Sequence, residues 1–249
     1  MGYSATWKDI LDEISDFHEG AAGQVWYRGI SNSSHKLVAG LFRLNSSQAS
    51  YEEYSKTEHQ LYMYYKTLGR LHHQNAEGWE LLYSMQHHGV KTRLLDWTES
   101  LSVALFFSTQ NWAHGKSARL WMLDPSVLNQ ISLDRREIIS PSSDFLPYPN
   151  GVQEPRRSFA VYPARNTTRI LAQHGCFTVQ GCLFPLEEEA DGILVEHGAL
   201  RYIDMDFTIR RDVLEYLATN GVTHFSIRPD LDGLAAHINE TVIPAAWKA

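Results

Sequence analysis

Apolar residues recur at helical spacing in several stretches of the chain. The segment 7–19, with Thr6 as its expected N-cap, places on one helical face the residues Trp7, Ile10, Leu11, Ile14 and Phe17. The same spacing, supported in one case by a capping box of Ser50 and Glu53, predicts further helices over residues 50–73, 77–88, 98–113 and 209–221. A closing helix is predicted after the turn-forming residues 229–233.

Short apolar or alternating runs predict strands between these helices. They fall at residues 23–30, 91–97, 118–124, 159–165, 176–181, 192–198, 200–207 and 224–227. Residues 140–158 contain four prolines and little periodicity, which predicts a long surface loop or lid. Residues 1–90 are mainly helical apart from the strand at 23–30, and residues 91–249 mix strands with helices. We therefore expect a single α+β domain over residues 1–249.

Composition and charge narrow the class of protein. The 249 residues are 43% hydrophobic and carry a formal net charge of −7, which argues against binding nucleic acid over a broad surface but leaves room for a local basic cleft. No apolar run approaches the roughly 20 residues that span a bilayer, and the first residues lack a signal-peptide pattern. Cys176 and Cys182 lack metal or redox spacing. We expect a cytoplasmic protein without a membrane partner.

Several common active sites have no support in the sequence. Phosphate-binding glycine loops, a GxSxG nucleophile elbow and the HExxH metal motif are absent. The residues 229–233, PDLDG, are typical of a turn and lack the ligands of a calcium loop. We therefore expect no metal site, and a nuclease acting through His87 and Asp96 has the weakest support.

Polar side chains crowd at the start of the most apolar run, and two arginines are flanked by apolar residues. Arg28 ends a predicted strand, and Arg93 precedes Leu94 and Leu95. Since a buried unpaired arginine is costly, these cations either form a closed network with carboxylates such as Asp96 or hold a phosphate at a helix N-terminus.

The helix that precedes this polar run ends in a pair of histidines. His87 and His88 either cap the carbonyls of the helix that ends at Gly89 or take part in proton transfer and contact an acceptor.

Four ordered motifs resemble the FRG domain family. The family signature corresponds to WYRG at residues 26–29, with Tyr27 in place of phenylalanine. A second block, QHxGxxTRLLDWTxSxxxALFF, matches residues 86–107. A third, RxxxQxGxFT, matches residues 169–178, and PDLDG closes the series. The family is defined by its sequence pattern rather than by a known chemistry.

The order of these motifs also resembles that of ADP-ribosyltransferases of the arginine-serine-glutamate type. This resemblance implies a mixed or antiparallel split β-sandwich, with a helical N-terminal half and an NAD cleft between the sheets. Arg28 would hold an NAD phosphate or ribose, and Thr98 or Ser100 would support the site. Trp97 or Phe177 would stack on nicotinamide.

The catalytic glutamate of those transferases is replaced here. Gln173 stands at the matching position and brings no negative charge to an oxocarbenium-like centre. A catalytic carboxylate would then come from Asp96, Glu99 or Glu196, unless the fold binds a nucleotide without transferring it.

The resemblance implies that NAD is a substrate and that ADP-ribose passes to a nucleic acid or a protein, as in bacterial toxins and phage-defence effectors. Such an effector would pair with an antitoxin or immunity protein. The catalytic candidates are Arg28, Gln173, Asp96 and His87. The residues expected around the nucleotide are Tyr27, Arg28, Gly29, Arg93, Trp97, Thr98, Ser100 and Phe177.

The alternative is a non-catalytic module that binds a nucleotide or a nucleic-acid end. Its cleft would be lined by Arg28, Arg43, Arg93 and Arg169, with Tyr27 and Trp97 as stacking surfaces. Both hypotheses place Arg28, Arg93, Asp96 and Gln173 in one pocket. Closed ion pairs in the core would instead give these motifs a structural role.

Overall fold

The computed structural model describes residues 2–44, 49–73, 76–141, 148, 156–164 and 167–243. Within them the chain is α+β, as predicted. Its strands are β1 Trp26–Ile30, β2 Leu94–Thr98, β3 Ala118–Leu123, β4 Phe159–Val161, β5 Gly175–Val179 and β6 Leu200–Met205. Most of the predicted loop at 140–158 lies outside the described residues.

Ten helices are present in the described part of the chain. They are α1 Ala5–Gly20, α2 Tyr51–Leu68, α3 Gly78–His87, α4 Leu101–Thr109, α5 Pro125–Leu133, α6 Thr168–Ala172, α7 Ile193–Glu196, α8 Arg210–Thr219, α9 His224–Ile227 and α10 Leu231–Val242. None of these described helices is both long and apolar enough to cross a membrane.

The strands form one open sheet in the order β4-β5-β2-β1-β3-β6, and all five pairings of neighbours are antiparallel. The expected two-sheet sandwich is therefore replaced by a single sheet in the described residues. Its centre is weakly joined, because β1 and β2 share only the register pair Tyr27–Thr98. By contrast, β1 pairs with β3 at five positions and β2 pairs with β5 at five. We call the line along which β1 and β2 diverge the seam.

Alternation along β1 sends neighbouring side chains to opposite faces of the sheet. Tyr27 packs with α1, α4 and α8 on one face, in a core that includes Trp7, Phe17, Leu105 and Val213. Trp26 packs on the other face with a second set of buried residues, Trp121, Leu123, Leu128 and Leu194. A third core joins α2 and α3 to the strands β2, β4 and β5. The second core also contains Leu95 and Trp97 of β2, so it packs across the seam and joins its two sides.

A glycine brings α4 against the sheet beside the seam. A Cβ atom at Gly29 would lie 1.8 Å from the carbonyl oxygen of Ala104, far inside any allowed contact. The glycine of the WYRG motif is therefore required by the close approach of a helix backbone to β1.

Some predicted elements differ from the structure. Residues 192–198 and 224–227 were expected to be strands but form α7 and α9, because short apolar runs do not separate a buried strand from a helical turn. Helix α1 is capped by Ser4 rather than Thr6, and α4 begins after Ser100 rather than at Thr98. Helix α5 was not predicted, although Asp124 and Pro125 form a favourable N-terminus for it.

Candidate functional site

A cleft of about 420 Å³ opens along the seam. This volume falls within the range of about 300–1,000 Å³ found for small-molecule sites. Strand β1, strand β2, helix α4 and the region around α6 all contribute side chains. The lining includes Tyr27, Arg28, Gly29, His35, Gln86, Asp96, Trp97, Thr98, Phe107, Gln110, Arg169 and Gln173.

Arg28 bridges the seam where the strands separate. Its Nη1 donates a hydrogen bond to the backbone carbonyl of Asp96 at 2.5 Å and lies 3.8 Å from Oδ2 of that carboxylate. The Arg28 side chain is 19% exposed and that of Asp96 is 59% exposed. Burial lowers the pKa of Arg28, while Asp96 opposes this shift and Arg43 adds to it. Because the guanidinium stays charged at any physiological pH, the cleft has a fixed cation beside an exposed anion.

The carboxylate of Asp96 is oriented by two side chains behind it. Gln86 Nε2 donates to Asp96 Oδ2 at 2.9 Å. The buried Thr92 hydroxyl in turn donates to Gln86 Oε1 at 2.6 Å. Because an ionised carboxylate can only accept, Asp96 fixes Gln86 Nε2 as the donor, and the Thr92 hydroxyl, which itself accepts from the Leu94 N–H at 3.1 Å, donates to the Gln86 oxygen behind it.

Gln173 enters the cleft at the end of α6. Its backbone carbonyl accepts a hydrogen bond from Thr98 Oγ1 at 2.7 Å, and its Nε2 donates to the Ile227 carbonyl at 3.3 Å. Thr98 Oγ1 also accepts from the backbone N–H of Ser100, whose own side chain caps α4. The threonine and serine of the second motif therefore connect α4, β2 and α6 around the cleft.

Arg169 is the second cation in the cleft. Its half-buried guanidinium makes no hydrogen bond or ion pair with the residues that the structure describes. Burial lowers the pKa of Arg169, and the neighbouring cation Arg228 lowers it further, while Asp96 and Asp230 oppose the shift. Asp230 itself caps α10 by accepting from the Gly233 N–H at 2.7 Å. The closing PDLDG motif thus forms a helix start beside the site, as the turn prediction requires.

A smaller chamber of about 70 Å³ continues from the cleft toward α3. Five of its residues also line the cleft: Gln86, Asp96, Trp97, Arg169 and Gln173. Tyr83, His87 and Phe177 line the chamber alone, and the rings of Tyr83 and Phe177 stack with centroids 5.4 Å apart. Burial lowers the pKa of His87, and Arg169 and His88 lower it further. This ring is therefore neutral near pH 7.

The predicted site residue Arg93 lies outside both cavities. Arg93 is 2% exposed, and its Nε donates to Glu58 Oε2 at 2.5 Å while Nη1 donates to the Tyr51 hydroxyl at 2.8 Å. Glu58 also accepts from the Arg93 backbone N–H at 2.8 Å. Of the four residues expected in one pocket, Arg28, Asp96 and Gln173 meet there, whereas Arg93 fastens α2 to β2 as a closed ion pair.

Other candidates occupy supporting positions. Trp97 is buried, donates from Nε1 to Thr178 Oγ1 at 3.0 Å and borders both cavities. Ser100 acts as a helix cap rather than a lining residue. Glu99 accepts from the Tyr162 hydroxyl at 2.8 Å, and neither Glu99 nor Glu196 lines the cleft. Among the described residues, Asp96 is thus the carboxylate that faces the cavity.

Sequence reasoning did not single out Gln86 as a site residue, and it did not select Tyr83 or Phe107 at all. Gln86 lies in the second motif, and its place directly before the paired histidines was the available signal. Phe107 is the last residue of the same motif, whereas Tyr83 lies on a predicted helix outside every motif and carries no such signal. Among the described residues, no group of three histidines, cysteines or carboxylates is placed to hold a metal ion.

Comparison with protein families identifies the class of this domain. Residues 23–128 match the family model of the FRG domain, a segment that contains β1, the whole second motif and α4. These residues are therefore similar to the FRG domain, and β1 and β2, which border the seam, both fall within them. Comparisons with curated proteins and with solved structures gave no match.

Proposed function

We propose that the seam cleft binds NAD and that the protein transfers its ADP-ribose to a macromolecule. The observation that carries this proposal is the meeting of Arg28, Arg169, Asp96 and Gln173 around one cavity of about 420 Å³. A dinucleotide needs cations for its phosphates and polar groups for its ribose hydroxyls, and these four side chains supply both.

Asp96 is the group proposed to stabilise the reacting centre. When the bond between ribose C1′ and nicotinamide breaks, its electron pair leaves with nicotinamide and positive charge develops at C1′. The carboxylate of Asp96 would compensate that charge once a ligand phosphate draws Arg28 away. A nucleophile of the acceptor then forms the new bond to C1′, and neutral His87 takes the proton released.

Gln173 has a different role in this proposal. Its amide donates to the Ile227 carbonyl and can still contact a ribose hydroxyl through its oxygen. It thus positions the ribose, while Asp96 supplies the charge that the resembling transferases obtain from glutamate.

A second candidate is a nucleotide-binding module without transfer activity. The ion pair of Arg28 with Asp96 favours it, because each charge already has a partner at 3.8 Å in the free protein. This module would bind a nucleotide, or the end of a nucleic acid, chiefly through Arg169.

Incubation of the purified protein with NAD labelled in its ADP-ribose portion tests the proposal. DNA, RNA and cell lysate are offered as acceptors, and released nicotinamide is measured in parallel. We expect label on one acceptor class with wild type and with Glu196→Gln, which neutralises an exposed carboxylate outside the cleft. Arg28→Ala, Asp96→Asn and Gln173→Ala should lose it.

Two results would contradict transfer. A rise in melting temperature with NAD, but no nicotinamide release or label, would favour the binding module. Neither a shift in melting temperature nor transfer would exclude NAD as the ligand.

A further inference from the structure

The cleft runs along helix α4, and the two ends of that helix contribute different chemistry. At the start of α4, the Thr98 hydroxyl joins the Ser100 cap to the backbone carbonyl of Gln173. At the other end, Gln110 follows the last residue of the helix and also lines the cleft. Because a helix rises about 1.5 Å per residue, Ser100 and Gln110 lie about 15 Å apart.

The proposed reaction uses only the charged side of this cavity. Its arginines and its carboxylate are Arg28, Arg169 and Asp96, and Arg28 turns towards β2 to donate to the Asp96 carbonyl. The last turn of α4 instead contributes Phe107 and Gln110, to which the proposed function gives no role. Since the C-terminal end of a helix carries partial negative charge, this end of the cleft disfavours a phosphate.

Phe107 presents an accessible aromatic ring at the end of α4. Residues 103–106 before it are at most 5% exposed, whereas Phe107 is half-buried and borders the cleft. The neighbouring Phe106 ring meets it edge to face, with centroids 5.7 Å apart, and supports its position. A ring held in this way at a cavity wall is a surface on which a planar base can stack.

The Gln110 side chain supplies hydrogen-bonding groups one turn further along the same helix. It is half-exposed, and its Nε2 donates to the Phe106 carbonyl at 3.4 Å. The amide makes no other hydrogen bond with the residues that the structure describes, so one N–H and the oxygen stay available. A donor and an acceptor side by side complement N7 and the N6 amino group of adenine.

We propose that the end of the cleft beside Phe107 and Gln110 is an adenine subsite. The base stacks on the Phe107 ring and turns its N6 and N7 edge to the Gln110 amide. Guanine fits less well, because it presents two acceptors at this edge and leaves the amide oxygen without a donor. The inference deepens the proposed function and rests on it for the reacting ribose beside Asp96, from which the adenosine half extends along α4.

The test uses two pairs of nucleotides whose members differ only in the base. One pair is NAD and nicotinamide hypoxanthine dinucleotide, and the other is ADP and inosine diphosphate. Hypoxanthine has a carbonyl oxygen in place of the N6 amino group, so it offers the amide oxygen no donor. We expect the full chain to bind the adenine member of each pair about fivefold or more tightly in titration calorimetry.

Two variants separate stacking from recognition of the base edge. Gln110→Leu should abolish the preference for adenine, and its half-exposed position makes a loss of folding unexpected. Phe107→Leu keeps an apolar side chain but removes the ring, so it should bind all four nucleotides about fivefold or more weakly. The melting temperature of each free variant confirms that it is folded during the titration.

Matched controls replace the same residue types elsewhere. Phe184→Leu removes a ring that is 61% exposed and lies outside both cavities. Gln60→Leu replaces an exposed glutamine of α2 that lines neither cavity. Both variants should keep the wild-type affinities and the wild-type preference for adenine.

The outcomes distinguish this inference from the proposed function. If NAD binds without a preference for adenine, or with one that survives Gln110→Leu, the subsite is overturned and the NAD function stands. If NAD fails to bind while ADP is preferred to inosine diphosphate through Phe107 and Gln110, the subsite is supported and the NAD function is overturned. Failure of both pairs to bind overturns both.

Discussion

The Gln86 amide donates a hydrogen bond to the Asp96 carboxylate over 2.9 Å, and the Thr92 hydroxyl holds that amide in place. These three residues belong to one continuous motif, yet they lie on α3, on the connection after it and on β2. The motif therefore encodes the orientation of a single carboxylate at the seam. Its spacing places behind Asp96 an amide donor and the hydroxyl that donates to the oxygen of that amide.

Removing this support should weaken ligand binding beyond any loss of stability. Gln86→Met leaves the fully buried Thr92 hydroxyl without its acceptor, so we expect a lower melting temperature and an affinity for NAD reduced about tenfold. The double variant Gln86→Met/Thr92→Val removes both side-chain polar groups but also the hydroxyl that accepts from the Leu94 N–H at 3.1 Å, so it should regain only part of the stability and none of the affinity. Wild-type affinity in the double variant, measured by calorimetry, would show that Asp96 needs no such support.

Arg93 should matter for folding rather than for ligand contacts. Arg93→Met leaves Glu58, which is 1% exposed, without its cation and should lower the free energy of unfolding by about 3–5 kcal/mol in urea titration. Arg93→Met/Glu58→Leu should recover part of that loss, because no buried charge remains although the backbone N–H at position 93 loses its Glu58 acceptor. Lys56→Met, which breaks an exposed pair with Glu52 on the same helix, is the control and should leave stability unchanged. A loss of ligand binding by a stably folded double variant would give Arg93 a direct role at the site.

Gly29→Ala should disturb the packing of α4 on β1. The added methyl group would meet the Ala104 carbonyl at 1.8 Å, which forces the helix and strand apart. We expect the free energy of unfolding to fall by about 1–3 kcal/mol, as is typical of overpacked cores. Gly23→Ala is a matched control, since a Cβ there meets nothing within 4 Å. Equal melting temperatures of the two variants would contradict the close approach.

Gln173→Glu should not create a better transferase. Its carboxylate would face the Ile227 carbonyl, which now accepts a hydrogen bond from the amide at 3.3 Å. Two acceptors repel, so the folded state favours the protonated acid and raises the pKa of the new glutamate above its unfolded value. The variant should thus match wild-type stability below about pH 4 and lose stability as the pH rises through the raised pKa. Higher stability and faster transfer at about pH 8 would instead identify position 173 as a vacant catalytic site.

The sequence predicts much of the fold because its strongest patterns are local. The apolar face of α1 and the capping box at Ser50 and Glu53 both appear as expected. Strand and helix remained ambiguous for the four-residue runs that became α7 and α9, where tertiary packing decides. The single sheet could not be foreseen, since pairing between β1 and β2 depends on contacts about 70 residues apart in the chain.

The candidate site was predictable to the extent that it lies in motifs. Arg28, Asp96 and Gln173 each belong to a different motif, and all three line the cleft. Arg93 was not distinguishable from Arg28, because both are arginines beside apolar residues. The difference is the partner: Glu58 lies 35 residues earlier on a helix whose position no local pattern specifies. Tyr83 was not predicted for the same reason, since no sequence pattern shows that its hydroxyl lacks a hydrogen-bond partner in the folded protein.

The seam also sets the mechanical character of the protein. A sheet is stiff where neighbouring strands share a long ladder, and β1 and β2 share a single rung at Tyr27 and Thr98. On one face of the sheet a single core packs across this line, with Trp26 of β1 beside Leu95 and Trp97 of β2, so side-chain packing rather than backbone pairing joins the two halves there. A ligand that links Arg28 on one half to Asp96 on the other would act as a cross-brace. Binding of such a ligand in the cleft would then make the middle of the sheet more rigid, at a point away from the ends of the strands.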